Sequence, residues 1–136
     1  MRKAGLMGVA AVLAAGAAFA AAGVDQRIAT MDKIEARAKV LDDMAAGRSA
    51  HDPRTAREAA AALAALAITI PQEFEANALG GKAKPAIWDN YADFTAQSDA
   101  LFKAAQALDP DSAAGVTAGS KAIQATCTAC HQRYKN

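Results

Sequence analysis

Residues that favour β-strands and an excess charge of one sign are both lacking in this chain of 136 residues. Alanine, the strongest helix former, supplies 40 of the residues, so an all-β domain is nearly excluded. The 15 basic and 14 acidic side chains give a net charge of only +1, which excludes nucleic-acid binding by bulk charge. The length suits one domain, and no internal repeat is visible.

The chain also lacks an apolar run long enough to cross a bilayer. Arg2 and Lys3 precede a strongly apolar run of about ten residues, whereas a membrane span needs about 20. Small residues follow, and Ala18-Phe19-Ala20 fits a signal-peptide cleavage site. We therefore predict that residues 1–22 are a secretion signal, cleaved after position 20 or 22. Residues 23–136 would then be a periplasmic domain of net charge −1 with no stable membrane anchor.

Apolar residues recur at steps of three and four in four segments. Gly47 and Pro71 mark ends of the first two, while Asp52 and Asp109, each followed by proline, resemble helix N-caps. Residues 71–84 form the longest irregular stretch. The predicted helices cover about 24–46, 53–70, 85–108 and 113–134. Such helices, joined mostly by short connections, predict an all-α, antiparallel four-helix bundle.

Large apolar side chains are few in this bundle, and aromatic residues make up only 5% of the chain. Alanine buries little hydrophobic area, so the predicted core is thin and the fold marginal by itself. A bulky group inside the bundle would resolve that shortage.

The only two cysteines, Cys127 and Cys130, stand in a C-x-x-C-H motif that ends at His131. On a helix, positions i, i+3 and i+4 share one face, so both sulfurs and the imidazole point into the bundle together. The motif is the attachment signature of c-type haem, in which each thiol forms a thioether and the histidine is an axial ligand.

Three other interpretations of this motif are open. A dithiol–disulfide redox site normally accompanies a βαβ pattern, which is lacking here. A zinc site needs a fourth ligand, and His51, the only other histidine, lies in a predicted turn. A structural disulfide would close too short a loop to add much stability. Export, the thin core and the histidine all favour one covalent haem c per chain.

A haem motif near the C-terminus of an exported bundle resembles the class II cytochromes c, that is, cytochrome c′ and its low-spin relatives of the c-556 type. The segment 84–88, Lys-Pro-Ala-Ile-Trp, followed by Phe94, is similar to the family's opening of the third helix. Arg27 and Met31 are similar to its first-helix R-x-x-x-M pattern. The resemblance covers essentially all of residues 23–136.

The resemblance implies that Cys127 and Cys130 bind haem covalently and that His131 is the proximal iron ligand. It also implies that Arg27 lies near a haem propionate and that Met31 faces the distal side of the iron. Core packing is the simplest alternative for Met31, and an ordinary solvated side chain is the alternative for Arg27.

The surroundings of the haem are predicted less sharply. Trp88 lines either the haem pocket or the core. The family often has arginine four residues after the haem histidine. Here that position is Lys135, and Arg133 stands two residues after the histidine.

Whether Met31 binds the haem iron distinguishes two possible functions. If it coordinates the iron, the protein is a low-spin, one-electron carrier; if it does not, an open distal site binds nitric oxide or carbon monoxide.

A cofactor-free periplasmic chaperone is the alternative from another class, although no extended charged or apolar run supports it. No nucleophile–base signature suggests an enzyme. The redox partner is invisible in the sequence, and the alanine-rich face of residues 59–67 would permit a homodimer.

Overall fold

The computed structural model describes the backbone of residues 8–136 and the side chains of residues 23–136. Within these residues the chain forms helices α1 Gly8–Ala45, α2 Pro53–Ala67, α3 Ile70–Glu73, α4 Ala86–Asp89, α5 Tyr91–Ala107 and α6 Ala113–Tyr134. The side chains of the predicted signal, residues 1–22, lie outside this description, as does the backbone of its first seven residues. None of the described helices combines the length and the apolar character that a membrane crossing requires.

Four long helices build the body of the domain. Helix α1 packs against α2 and α6, and α5 packs against the same two helices from the opposite side. Short connections at 46–52 and 108–112 reverse the chain direction between successive helices. The predicted antiparallel four-helix bundle is therefore confirmed.

Alanine dominates the buried face of α2. Leu63 is its one large side chain with no exposed surface, and five alanines share that face: Ala56, Ala59, Ala60, Ala64 and Ala67. Side chains this small allow α1 and α5 to approach α2 closely. They also bury little apolar area, as the composition predicts.

The predicted boundaries between α1 and α2 are confirmed. Helix α1 ends two residues before Gly47. Gly47 has a φ of 70°, in the left-handed region, which glycine adopts at little cost because it has no side chain. Asp52 caps α2, since its Oδ2 accepts a hydrogen bond of 3.0 Å from the backbone N–H of Thr55. Pro53 occupies the first helical position, where a missing N–H costs nothing.

The second helix ends earlier than predicted. Helix α2 stops at Ala67, and Pro71 lies in the first turn of the short helix α3. A proline at position 71 cannot donate to the carbonyl of Ala67, and its ring would clash with that carbonyl. The same proline is well suited to a first turn, so the chain begins a new helix there.

The third predicted helix is broken. Asn90 has φ −131° and ψ 46°, which separates α4 from α5. Its side-chain amide and its backbone N–H both donate to the carbonyl oxygen of Ala86, at 3.4 and 3.1 Å. Asparagine commonly offers the backbone such local alternatives to a continuous helix.

Helix α6 begins at Ala113 as predicted, but Asp109 is not its N-cap. Ser112 is the N-cap, and its Oγ accepts a 2.9 Å hydrogen bond from the N–H of Gly115. Asp109 instead accepts from the N–H of Asp111 and the hydroxyl of Ser112. Asp109 therefore organises the turn before the helix rather than capping the helix itself.

Candidate functional site

A cavity of about 980 Å³ opens between α1, α5, α6 and the connection from Ile70 to Ala83. Its volume is at the upper end of the ~300–1,000 Å³ typical of ligand pockets. Val24, Ile28 and Met31 line this cavity from α1. This position explains why none of the three is fully buried although all follow the apolar period.

Helix α6 presents the haem-binding motif to the cavity. Cys127, Cys130 and His131 all line it, because their spacing places them on one face of the helix. Burial raises the pKa of the Cys127 thiol. Burial and the neighbouring charges of Cys127 and Asp93 raise the pKa of Cys130 to about 11. Both sulfurs are therefore thiols at neutral pH.

The imidazole of His131 is open to the cavity. Its surface is exposed, yet the surrounding wall desolvates the ring and lowers its pKa. The positive charge of Lys135 lowers that pKa further, whereas Glu35 opposes the shift. A histidine with a lowered pKa is neutral at pH 7, which is the form that binds metals.

Arg27 and Met31 occupy the facing wall, one turn apart on α1. Arg27 is only 4% exposed, and its Nη2 donates a 2.7 Å hydrogen bond to the carbonyl oxygen of Ala78. Its guanidinium carbon lies 4.6 Å from the ring centroid of Phe74. The other terminal nitrogen, Nη1, is buried with no hydrogen-bond partner among the described residues. The alternative of a solvated Arg27 is therefore wrong, and an unsatisfied donor lies beside the cavity.

Trp88 does not line the cavity. Its indole N–H donates a 2.8 Å hydrogen bond to the carbonyl oxygen of Phe74, and the two rings are 6.4 Å apart. Phe74, which is 6% exposed, occupies the cavity wall. Of the two predicted positions for Trp88, the structure supports packing against the core.

Phe74 is the lining residue that the sequence did not single out. It lies at the end of α3, inside the stretch predicted to be irregular, where no apolar period marks a buried position. Residues 80–83 of the same connection also reach the cavity. A β-carbon at Gly80 would approach Cγ2 of Val24 to 2.6 Å, so the absent side chain permits this contact.

The two basic residues after the haem motif point in different directions. Arg133 binds the carboxylate of Asp93 through Nη1 at 2.9 and 3.0 Å. The hydroxyl of Tyr134 also donates to Asp93, and burial together with this bond raises the pKa of Tyr134 to about 12. Lys135 is the residue that reaches the cavity and acts on His131.

The structure does not support the zinc alternative. His51 is absent from the cavity lining, and its Nε2 lies 2.9 Å from the carbonyl oxygen of Pro110. Among the residues described here, no three His, Cys, Asp or Glu side chains come together as a metal site.

The cavity residues fit a haem group. Two thiols and a neutral imidazole converge from α6, a thioether faces them from α1, and the buried Nη1 of Arg27 suits an acidic substituent. A haem held in this cavity would supply the bulk that the alanine-rich core lacks. The fold and the site together define a helical c-type haem protein.

Comparisons with known proteins agree. Residues 22–135 match the Cytochrome C′ family. A cytochrome c-556 of Agrobacterium fabrum is 32% identical over 127 residues, which cover 90% of this chain and 87% of that protein. The chain belongs to the cytochrome c′ family, whose members carry covalently attached haem c.

Solved structures place the fold in the same family. Cytochrome c′ of Rhodopseudomonas palustris is similar with a TM-score of 0.78 and 25% identity, covering 84% of this chain and 95% of that chain. Cytochrome c′ of Rubrivivax gelatinosus gives a TM-score of 0.75 at 25% identity, covering 84% and 94%. This membership removes the cofactor-free chaperone from the alternatives.

Proposed function

We propose that this protein is a periplasmic one-electron carrier in which His131 and Met31 are the two axial ligands of the haem iron. The supporting observation is that both residues line one cavity from two helices that pack together, α6 and α1. The similarity to a cytochrome c-556, the type expected to be low-spin, agrees with this ligand pair.

The haem supplies the one-electron couple when bound, and the chain controls its surroundings. Cys127 and Cys130 provide two thiols for covalent attachment, and His131 offers a neutral ring nitrogen on the same helix face. Met31 offers a thioether, a ligand that favours the reduced state. Arg27 presents a buried N–H that can bind a propionate.

Binding of nitric oxide or carbon monoxide at an open distal site is the second candidate. It is favoured by the position of Met31, which is only half-buried in the cavity wall. If Met31 stays packed against the core cluster, the sixth position is free for a small gas.

Absorption spectra of the haem-loaded protein distinguish the two. We expect narrow, low-spin ferrous bands that carbon monoxide does not shift. Met31→Leu should make the spectrum high-spin and sensitive to carbon monoxide. Met44→Leu is the matched control, because Met44 is also half-buried on α1 but does not line the cavity. A wild-type spectrum that carbon monoxide shifts as strongly as that of Met31→Leu would favour the open site.

Export is tested separately. Periplasmic fractionation should recover the haem-loaded chain, and its N-terminal sequence should begin at residue 21 or 23. A full-length N-terminus in the cytoplasmic fraction would contradict the proposed location.

A further inference from the structure

The carboxylate of Glu73, at the end of α3, is anchored through only one of its oxygens. Its Oε1 accepts hydrogen bonds from the hydroxyls of Thr30, at 2.8 Å, and Thr69, at 3.2 Å. Its Oε2 is buried and has no hydrogen-bond partner among the described residues. A buried carboxylate oxygen is costly to leave unpaired, so a favourable charge nearby is expected.

The charge of Arg27 acts on this carboxylate at a distance, since the two side chains form neither a hydrogen bond nor an ion pair. Arg27 precedes Thr30 by three residues on α1, so Arg27 and Thr30 share a helix face. Phe74, next to Glu73 in sequence, lies under the guanidinium, and Ala78 accepts its hydrogen bond. The segment 69–78 therefore holds Arg27 against an aromatic ring and a carbonyl, while the carboxylate of Glu73 is bound to Thr30, one turn further along α1.

The electrostatic effects on Arg27 agree with this geometry. Burial lowers the pKa of Arg27, and the negative charge of Glu73 acts in the opposite direction. Arg27 is only 4% exposed and has one terminal nitrogen unpaired, so without a compensating charge its guanidinium would gain by turning outward to water.

We propose that Glu73 is a positioning residue of the haem site. Held by Thr30 and Thr69, it keeps the charged side chain of Arg27 in the cavity wall, with Nη1 directed to an acidic group of the bound cofactor. The positioning of Arg27 is a property of the protein alone; its effect on the haem rests on the proposed function.

Chemical modification of arginine tests the positioning. Haem-loaded protein is treated with phenylglyoxal, and the modification rate of each arginine is followed by peptide mass spectrometry. We expect Glu73→Gln to raise the rate at Arg27 several-fold and to leave exposed arginines such as Arg57 unchanged. Glu75→Gln is the matched control, since Glu75 is an exposed carboxylate two residues further on. Equal Arg27 rates in the two variants would overturn the proposal.

A second variant keeps the test decisive if Glu73→Gln folds poorly by circular dichroism. Thr30→Val removes the 2.8 Å hydrogen bond but keeps the charge of Glu73. We expect a smaller rise in the Arg27 rate than Glu73→Gln would give. No rise in a folded Thr30→Val protein would refute the anchoring role of Thr30 and, with it, the proposal.

The reduction potential tests the consequence for the haem. Arg27→Gln removes a positive charge beside the cofactor, so it should lower the midpoint potential in the wild-type background. In the Glu73→Gln background the same change should have little effect, because Arg27 has already left the wall. Equal shifts in both backgrounds would show that the two residues act independently and would overturn the coupling.

The two measurements also separate this proposal from the proposed function. Carbon monoxide spectra report on Met31 and should be unchanged in Glu73→Gln. If those spectra refute Met31 ligation, the Arg27 modification rates still decide the role of Glu73.

Discussion

Leu63 is a core side chain whose removal should strongly destabilise this bundle without touching the haem. It has no exposed surface, lies in the middle of α2, and does not line the cavity. Leucine-to-alanine changes in cores cost about 2–5 kcal/mol, depending on how well the site can collapse. The neighbours on its helix are alanines, which have no side-chain freedom to refill the space, so we expect Leu63→Ala to cost about 3 kcal/mol.

Denaturant and thermal unfolding of the haem-loaded protein measure this loss. For a domain of this size, 3 kcal/mol corresponds to a fall in Tm of roughly 10–18 °C. The absorption spectrum should not change. The control is Ile68→Ala, which removes the same number of carbons from a side chain that is 57% exposed. That variant should stay within about 0.5 kcal/mol of wild type. A loss below about 1 kcal/mol for Leu63→Ala, or equal losses for both variants, would refute the reasoning.

Three further predictions concern attachment, capping and pH. Replacing both Cys127 and Cys130 with alanine should abolish covalent haem and weaken folding; haem that survives acid–organic extraction of this variant would contradict the attachment. Ser112→Ala removes the N-cap of α6 and should cost about 1 kcal/mol in denaturant unfolding, whereas an unchanged midpoint would show that the cap is dispensable. The Tyr134 hydroxyl and then Arg133 hold the pKa of Asp93 below its usual value, so its stabilising contribution is present above about pH 4 and is lost as the pH falls through the lowered pKa. The difference in unfolding midpoint between wild type and Asp93→Asn should therefore shrink in acid, and a difference that is constant from pH 7 to pH 3 would exclude this linkage.

The chemistry of the site could be predicted because its central residues are close in sequence. Cys127, Cys130 and His131 lie within five positions, so the helix alone places them on one face. Helix α1 carries Arg27 and Met31 at a spacing of four, which likewise sets them one turn apart. Resemblance to the family then linked the two helices across the bundle before any contact between them was known.

Residues outside a regular period carry no such local signal. Phe74 and Glu73 lie in a stretch predicted to be irregular, and their partners Arg27 and Thr30 are more than 40 residues away. Trp88 is close to the cavity, but whether the indole or Phe74 forms the wall depends on how α3 folds back. No local pattern contains that information.

The sequence by itself determined the helical class, the four long helices and the haem-binding motif. These follow from alanine content, from the apolar period and from a spacing shorter than two helical turns, all of which are local properties. Only the tertiary structure decided the burial of Arg27 against the segment 69–78, the place of Phe74 in the cavity wall and the hydrogen bond from Trp88 to the carbonyl of Phe74. Those features depend on which distant groups hydrogen-bond to a carbonyl, neutralise a charge or cover an apolar surface. Such contacts form only when the helices pack.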